Sequence, residues 1–252
     1  MRLVRFQYKN EAPAFGWIQD DMVGKIEGDP FGKFRRLKGE IPLKDVKLLA
    51  PSQPSKIVCI GRNYKAHAEE QDAEVPKLPL IFLKPPSAII NPGDKIVLPP
   101  QSNKVEHEAE LVVVIGKKTR NVTIENARDA IYGYTVGNDV TARDIQYSDA
   151  QWTRGKGFDT FCPFGPWIET DFDPSDALVT CHVNGQPRQM GTTRDLTFPV
   201  ESLVAFISSV MTLEPGDLIF TGTPAGVGPL LDGDEVVVEI EGLGKLVNPV
   251  VS

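Results

Sequence analysis

His107-Glu-Ala-Glu-Leu-Val-Val-Val-Ile115 is the stretch on which the reading of this chain turns. Leu111 to Ile115 is an unbroken apolar run rich in β-branched residues, the composition of a buried strand. Strand side chains alternate between faces, so Glu108 and Glu110, two apart at its mouth, send both carboxylates to the same side. Like charges at that spacing repel unless a cation lies between them. A competing reading is a solvated Glu-x-Glu at a strand edge, where charge blocks aggregation. Asp139 tips the balance toward a metal site. It follows strand-like Tyr134-Thr-Val-Gly137 within Asn138-Asp-Val-Thr-Ala-Arg-Asp144, a strand-end position where ligand residues commonly sit. Three oxygen ligands suit a hard ion, Mg²⁺ or Mn²⁺, and leave coordination positions for water or substrate. Zinc is disfavoured because no His or Cys joins the set. His107 has the opposite parity to the two acids and reads as structural.

Outward from this strand the chain is strand-dominated: Lys56 to Ile60, Tyr132 to Gly137, Leu178 to Val183, Leu218 to Thr221 and Glu235 to Ile240 all carry strand patterns. Asn184-Gly185 favours a type I′ hairpin turn after Leu178 to Val183. Residues 1 to 50 read as a small N-terminal β domain of short strands (Leu3 to Tyr8, Phe15 to Gln19, Met22 to Ile26). Pro51-Ser-Gln-Pro-Ser55 then punctuates the chain before residues 51 to 252. The clearest helix is Pro199 to Met211, with Leu203, Phe206, Ile207 and Val210 expected to form its apolar stripe. The expectation is a β-rich α+β fold.

Hydrophobic content of 41% with 24% charge across 252 residues is ordinary for a globular protein. No apolar run approaches the roughly 20 residues needed to span a bilayer. A net charge of −7 without a sizeable basic cluster excludes the usual electrostatic footprint of nucleic-acid binding and points to small-molecule partners. Cys59, Cys162 and Cys181 are odd in number and form no Cys-x-x-Cys pair, so they read as core thiols. The N-terminus lacks the apolar stretch of a secretory signal, and a cytoplasmic location is expected.

Two further elements bring acid/base and anion-binding chemistry. If the chain is helical from Tyr64, His67 and Glu70 lie three apart on one face, where a carboxylate orients an imidazole; a surface ion pair is the plainer alternative. Lys156, flanked by glycines in Arg154-Gly-Lys-Gly-Phe-Asp159, reads as a loop cation able to offset charge around a metal. Thr221-Gly-Thr-Pro-Ala-Gly-Val-Gly228 lacks the Gly-Lys-Ser/Thr ending of a phosphate loop. It is expected to offer backbone amides and the Thr223 hydroxyl to a substrate carboxylate.

Taken in order, Gly61-Arg-Asn-Tyr64 with His67, Phe82-Leu-Lys-Pro85, Glu108-Ala-Glu110, Asn138 to Asp144, Lys156-Gly-Phe158, Pro215-Gly-Asp217 and Thr221-Gly-Thr-Pro224 closely resemble the fumarylacetoacetate hydrolase family. The resemblance runs from about Pro51 to the C-terminus. It implies a catalytic domain with the family's β-roll, a small N-terminal domain and usually a homodimer. It places Mg²⁺ or Mn²⁺ on Glu108, Glu110 and Asp139, and a catalytic set on His67, Glu70 and Lys156. Arg143, Gln146 and Thr223 match substrate-contacting positions. The expected activity is hydrolysis of a carbon–carbon bond in an acylpyruvate-type 2-oxo acid, with pyruvate enolate as leaving group. Decarboxylation of oxaloacetate, or decarboxylation and isomerisation of a homoprotocatechuate-pathway dienedioate, is the alternative, and a non-catalytic binding protein on the same fold is a third reading. The long N-terminal extension of the eponymous enzymes is missing, which counts against their exact substrate.

Overall fold

The computed structural model describes residues 1–252 and is built on strands. The largest sheet has 13 strands. Its central order runs Arg2–Tyr8, Cys162–Glu169, Ile131–Asn138, Ala109–Ile115, Leu218–Phe220, Ile57–Gly61 and Leu80–Lys84. Neighbours are antiparallel except Leu218–Phe220 with Ile57–Gly61, which run parallel. A five-stranded sheet (Ile96–Val97, Gly244–Val251, Glu235–Ile240, Leu178–Val183, Gln186–Thr192) packs against it.

The central strand explains the apolar run. Leu111, Val113 and Ile115 fall in one core cluster, with Val179, Cys181, Val236 and Val238 of the second sheet and Leu203, Val204 and Ile207 of the helix. Val112 and Val114 point the other way, into a second cluster with Ile57, Cys59, Phe164, Leu218 and Phe220. Both faces are dry, so both parities must be apolar. Glu108 and Glu110 do not lie on a solvated sheet edge: both are buried, at 4% and 2% exposure.

The helix spans Val200–Val210 with Pro199 at its N-cap, but its buried stripe is Val200, Leu203, Val204 and Ile207. Phe206 is half-buried and Val210 is 52% exposed, so the apolar face is rotated from the expected one. The rotation follows from Val200, which starts a 0, 3, 4, 7 spacing that a stripe counted from Leu203 misses. Asn184 and Gly185 both have positive φ (52° and 73°), as a type I′ turn requires, and join Leu178–Val183 to Gln186–Thr192. Cys162–Glu169 gave no strand signal because Pro163, Gly165 and Pro166 interrupt it, yet it pairs with Ile131–Asn138 through a register shift.

Arg2–Tyr8 pairs with both Ala14–Gln19 and Cys162–Glu169, so the N-terminal strands continue the large sheet. Leu3 enters the core cluster beneath the central strands, while Val4, Phe6 and Val23 form a small cluster of their own. No helix is long and apolar enough to cross a membrane.

Candidate metal centre and acid/base pair

The three acids converge because two strand ends are clamped together. The Glu108 amide donates to Asn138 Oδ1 at 2.9 Å, and the Asp139 amide donates to the Glu108 carbonyl at 2.9 Å. Glu110, one pleat further on, lies opposite Gly137. One carboxylate oxygen from each of Glu108, Glu110 and Asp139 lies within 4.8 Å of the others, and all three residues are buried. This all-oxygen donor set fits a hard divalent cation and gives zinc no nitrogen or sulfur ligand.

Charge around the triad is unevenly compensated. Glu108 receives Arg143 at 2.5 Å and Lys156 at 2.7 Å. Burial alone would raise its pKa, but Lys156 and Arg143 override that and hold it far below the usual carboxylate range. Asp139 pairs with Lys156 at 2.7 Å and with fully buried Lys84, which also donates to the Val140 carbonyl. Glu110 has no cationic partner. Its one hydrogen bond comes from the Gly222 amide at 2.7 Å. Burial, followed by the neighbouring Asp139 and Glu108 charges, pushes its pKa well above normal. A buried carboxylate in that position calls for either a proton or a cation, a further fit to a divalent ion.

His67 and Glu70 lie on the short helix Lys65–Glu70, capped by Tyr64, with Nδ1 and Oε2 3.2 Å apart. A carboxylate can only accept, so Nδ1 carries the proton and Nε2 is the basic nitrogen. Burial lowers the His67 pKa despite opposing pulls from Glu108 and Glu70, which favours neutral imidazole. The Gly226 amide donates to the other Glu70 oxygen at 2.9 Å. One cavity is lined by His67, Glu108, Glu110, Arg143, Gln146, Lys156 and Thr223, with an apolar wall of Ile60, Phe82 and Trp152. Asp139 and Glu70 are not among the lining residues; they reach the site through the acidic triad and through His67.

Several contacts differ from the expectations. Lys156 is not on a flexible loop: it ends the short helix Thr153–Lys156, is 2% exposed, and lies 5.0 Å over the Phe82 ring. The loop after Leu218–Phe220 spends its donors on the protein. The Gly222 amide holds Glu110, the Gly226 amide holds Glu70, and the Thr223 hydroxyl donates to the Ala109 carbonyl while accepting from Gln189. Arg143 is engaged by Glu106 at 2.7 Å, by Glu108 and by Gln146 at 2.6 Å. Burial lowers its pKa, but Glu108 and Glu106 prevail and raise it. His107 turns away from the acids, as its parity demands, and bonds Gln189 at 2.9 Å.

Sequence reasoning assigned no role to Lys84, Glu106, Asn138 or Gln189. Lys84 carried a signal, a lysine at the end of the apolar Leu80-Ile-Phe-Leu83, where only a buried partner makes the charge tolerable.

The chain matches the family model described as fumarylacetoacetate (FAA) hydrolase C-terminal over residues 56–251, and one described as Rv2993c-like, N-terminal, over residues 1–51. It is 51% identical to Protein Rv2993c of Mycobacterium tuberculosis over 230 residues, covering 90% of this chain and 87% of that one. It is 46% identical to a human mitochondrial protein named oxaloacetate tautomerase FAHD2A, covering 84% and 71% of the two chains. The crystal structure of a 2-hydroxyhepta-2,4-diene-1,7-dioate isomerase from Mycobacterium marinum superposes with a TM-score of 0.92 at 48% identity, covering 100% and 98%. With the buried acidic triad in place and most of its length matched, this chain belongs to the fumarylacetoacetate hydrolase family.

Proposed function

We propose that the protein is an Mg²⁺- or Mn²⁺-dependent enzyme that moves a proton on the carbon beside the keto group of a small 2-oxo acid, interconverting the keto and enol forms of an oxaloacetate-type substrate. The observation that carries this reading is His67, oriented by Glu70, lining the same cavity as Glu108 and Glu110 of the buried acidic triad. Bound by those three acids, the ion would chelate the 2-oxo carboxylate end and polarise the keto group as a Lewis acid. His67 Nε2 takes the proton from C3, the C–H electron pair becomes the C2=C3 bond, the C2=O π pair moves onto the keto oxygen, and that oxygen takes a proton from solvent while the imidazolium returns its own to solvent. The reverse steps return the keto form. Glu70 keeps Nδ1 protonated and steadies the imidazolium that forms transiently. Lys156 and Arg143 offset negative charge around the reacting end.

The names carried by relatives at 46% and 48% identity, a tautomerase and an isomerase, favour proton transfer over the hydrolysis expected from sequence. Hydrolysis of an acylpyruvate stays as the second reading, because Ile60, Phe82 and Trp152 form an apolar wall that would suit an acyl tail. There His67 would deprotonate water instead of carbon. The test is a side-by-side assay of oxaloacetate tautomerisation, oxaloacetate decarboxylation and acetylpyruvate cleavage with Mg²⁺, Mn²⁺ and a chelator. Metal-dependent tautomerisation faster than the other two supports the first reading. Acetylpyruvate cleavage as the fastest reaction replaces it with the second, and dominant CO₂ release makes the protein a decarboxylase.

A further inference from the structure

Three strong cations, Arg62, Arg143 and Lys156, line the cavity, and two are already committed to carboxylates of the protein. Arg62 is not. It makes no ion pair or side-chain hydrogen bond with any residue, although Asp149 lines the same cavity. Both Asp149 oxygens are taken by Arg154, at 2.6 and 2.8 Å.

The backbone holds Arg62 in place at some cost. Its φ is +56°, in the left-handed region that long side chains seldom adopt. The residues on either side are tightly held. Gly61 packs so closely under Trp152 that a Cβ there would stand 2.4 Å from the ring. Asn63 is locked by Nδ2 bonds to the Thr221 and Phe198 carbonyls at 2.7 and 3.1 Å, and by the Phe198 amide donating to Oδ1 at 2.8 Å. Between these anchors the Arg62 guanidinium lies 5.7 Å over the Trp152 ring. Trp152 is itself braced edge-on by Phe82, with centroids 5.3 Å apart. A strained backbone that presents an unpaired, stacked guanidinium to a cavity fits a receptor for an anion.

We propose that Arg62 binds the distal carboxylate of the substrate, making the site selective for 2-oxo dicarboxylates over 2-oxo acids with an uncharged tail. This rests on the reading that the 2-oxo carboxylate end is chelated at the acidic triad. Arg62 is then a specificity-determining residue, and its effect belongs to binding of one end of the ligand.

The pair 2-oxoglutarate and 2-oxopentanoate differs only by a carboxylate against a methyl group at the far end. Calorimetry on the full chain with Mg²⁺ should show wild-type protein binding 2-oxoglutarate roughly tenfold tighter or better, as a charge-assisted hydrogen bond provides. In Arg62→Gln that preference should collapse while 2-oxopentanoate and Mn²⁺ bind as before. Absence of a preference in the wild type, or a preference that survives in Arg62→Gln, overturns the role of Arg62 and leaves the 2-oxo-acid reading standing. Failure of both ligands to bind wild-type protein with metal overturns that reading and this proposal together.

Discussion

Glu110 depends on Gly222: the backbone amide at 2.7 Å is its one hydrogen-bond donor, whereas Glu108 and Asp139 beside it each hold two cationic groups. Electrostatic repulsion within the triad is therefore concentrated on Glu110. Glu110→Gln should weaken Mn²⁺ binding yet stabilise the chelator-treated protein. Relief of about 1 kcal/mol would raise Tm by roughly 2–4 °C for a chain of this size. The sign follows from linkage: the folded-state pKa of Glu110 is raised, so its contribution is present at low pH and is lost as pH climbs above the ordinary 4.5. Metal-free wild type should lose stability over that range, and the variant should lose less. Calorimetric melts with and without metal check this. A variant less stable than wild type in chelator at neutral pH would refute the charge argument.

Lys156 donates to Glu108 and Asp139 at 2.7 Å each, so its ammonium competes with a cation for the same oxygens. Lys156→Met should leave metal affinity equal or higher while turnover falls by roughly the 10²–10³-fold of a lost electrostatic stabiliser. Metal titration and steady-state rates on the same preparation separate the two effects. A large drop in metal affinity would recast Lys156 as a support of the ligands.

The parts of this site that were legible in the sequence are those set by strand periodicity. Glu108 and Glu110 share a face because the pleat has period two, and His107 departs from it for the same reason. The His67 and Glu70 pair was legible through helical spacing. What periodicity cannot encode is which residues from distant segments neutralise one another. Lys84 meets Asp139 across 55 positions, and Gln189 bridges His107, the Ala109 amide and Thr223 across about 80 and 34. Lys156 reads as a loop residue because Gly155 and Gly157 break any helical pattern. Gly155 instead lets the short helix press against the Gln146 backbone, where a Cβ would stand 2.9 Å from the Gln146 nitrogen. The N-terminal strands were also legible, but their pairing with Cys162–Glu169 was not, since prolines hide that strand.

Lys84 should act through Asp139. Its ammonium is buried and satisfies both an Asp139 oxygen and the Val140 carbonyl, so Lys84→Met leaves that carbonyl without a donor and removes one support of the carboxylate. Loss of one member of a buried pair costs about 3–5 kcal/mol. Metal affinity should also fall by roughly 10–100-fold, the usual cost of losing a group that orients a ligand. Chemical denaturation and Mn²⁺ titration test the two effects independently. Unchanged metal affinity in a folded variant would show that Asp139 is positioned by its backbone and Lys156 alone.

His67 gives the most discriminating prediction, because proton transfer at carbon and attack by water both need its base while decarboxylation relies mainly on an electron sink. His67→Ala should lower tautomerisation or cleavage by roughly the 10²–10⁴-fold typical of a lost general base, with metal binding intact and any oxaloacetate decarboxylation largely kept. Glu70→Gln should show a milder form, since the imidazole stays but loses the partner that fixes its tautomer. The pH profile adds a second constraint. Burial lowers the His67 pKa below its ordinary 6.5, so the acid limb of kcat/KM for the free enzyme should fall at a pH below that value. The same shift makes the folded state harder to protonate than the unfolded chain, so stability contributed by neutral His67 is present above 6.5 and declines as pH drops below it. In His67→Ala both the acid limb and that part of the stability slope should disappear. Retention of the limb with the same midpoint would assign it to another group and remove His67 from the role of base.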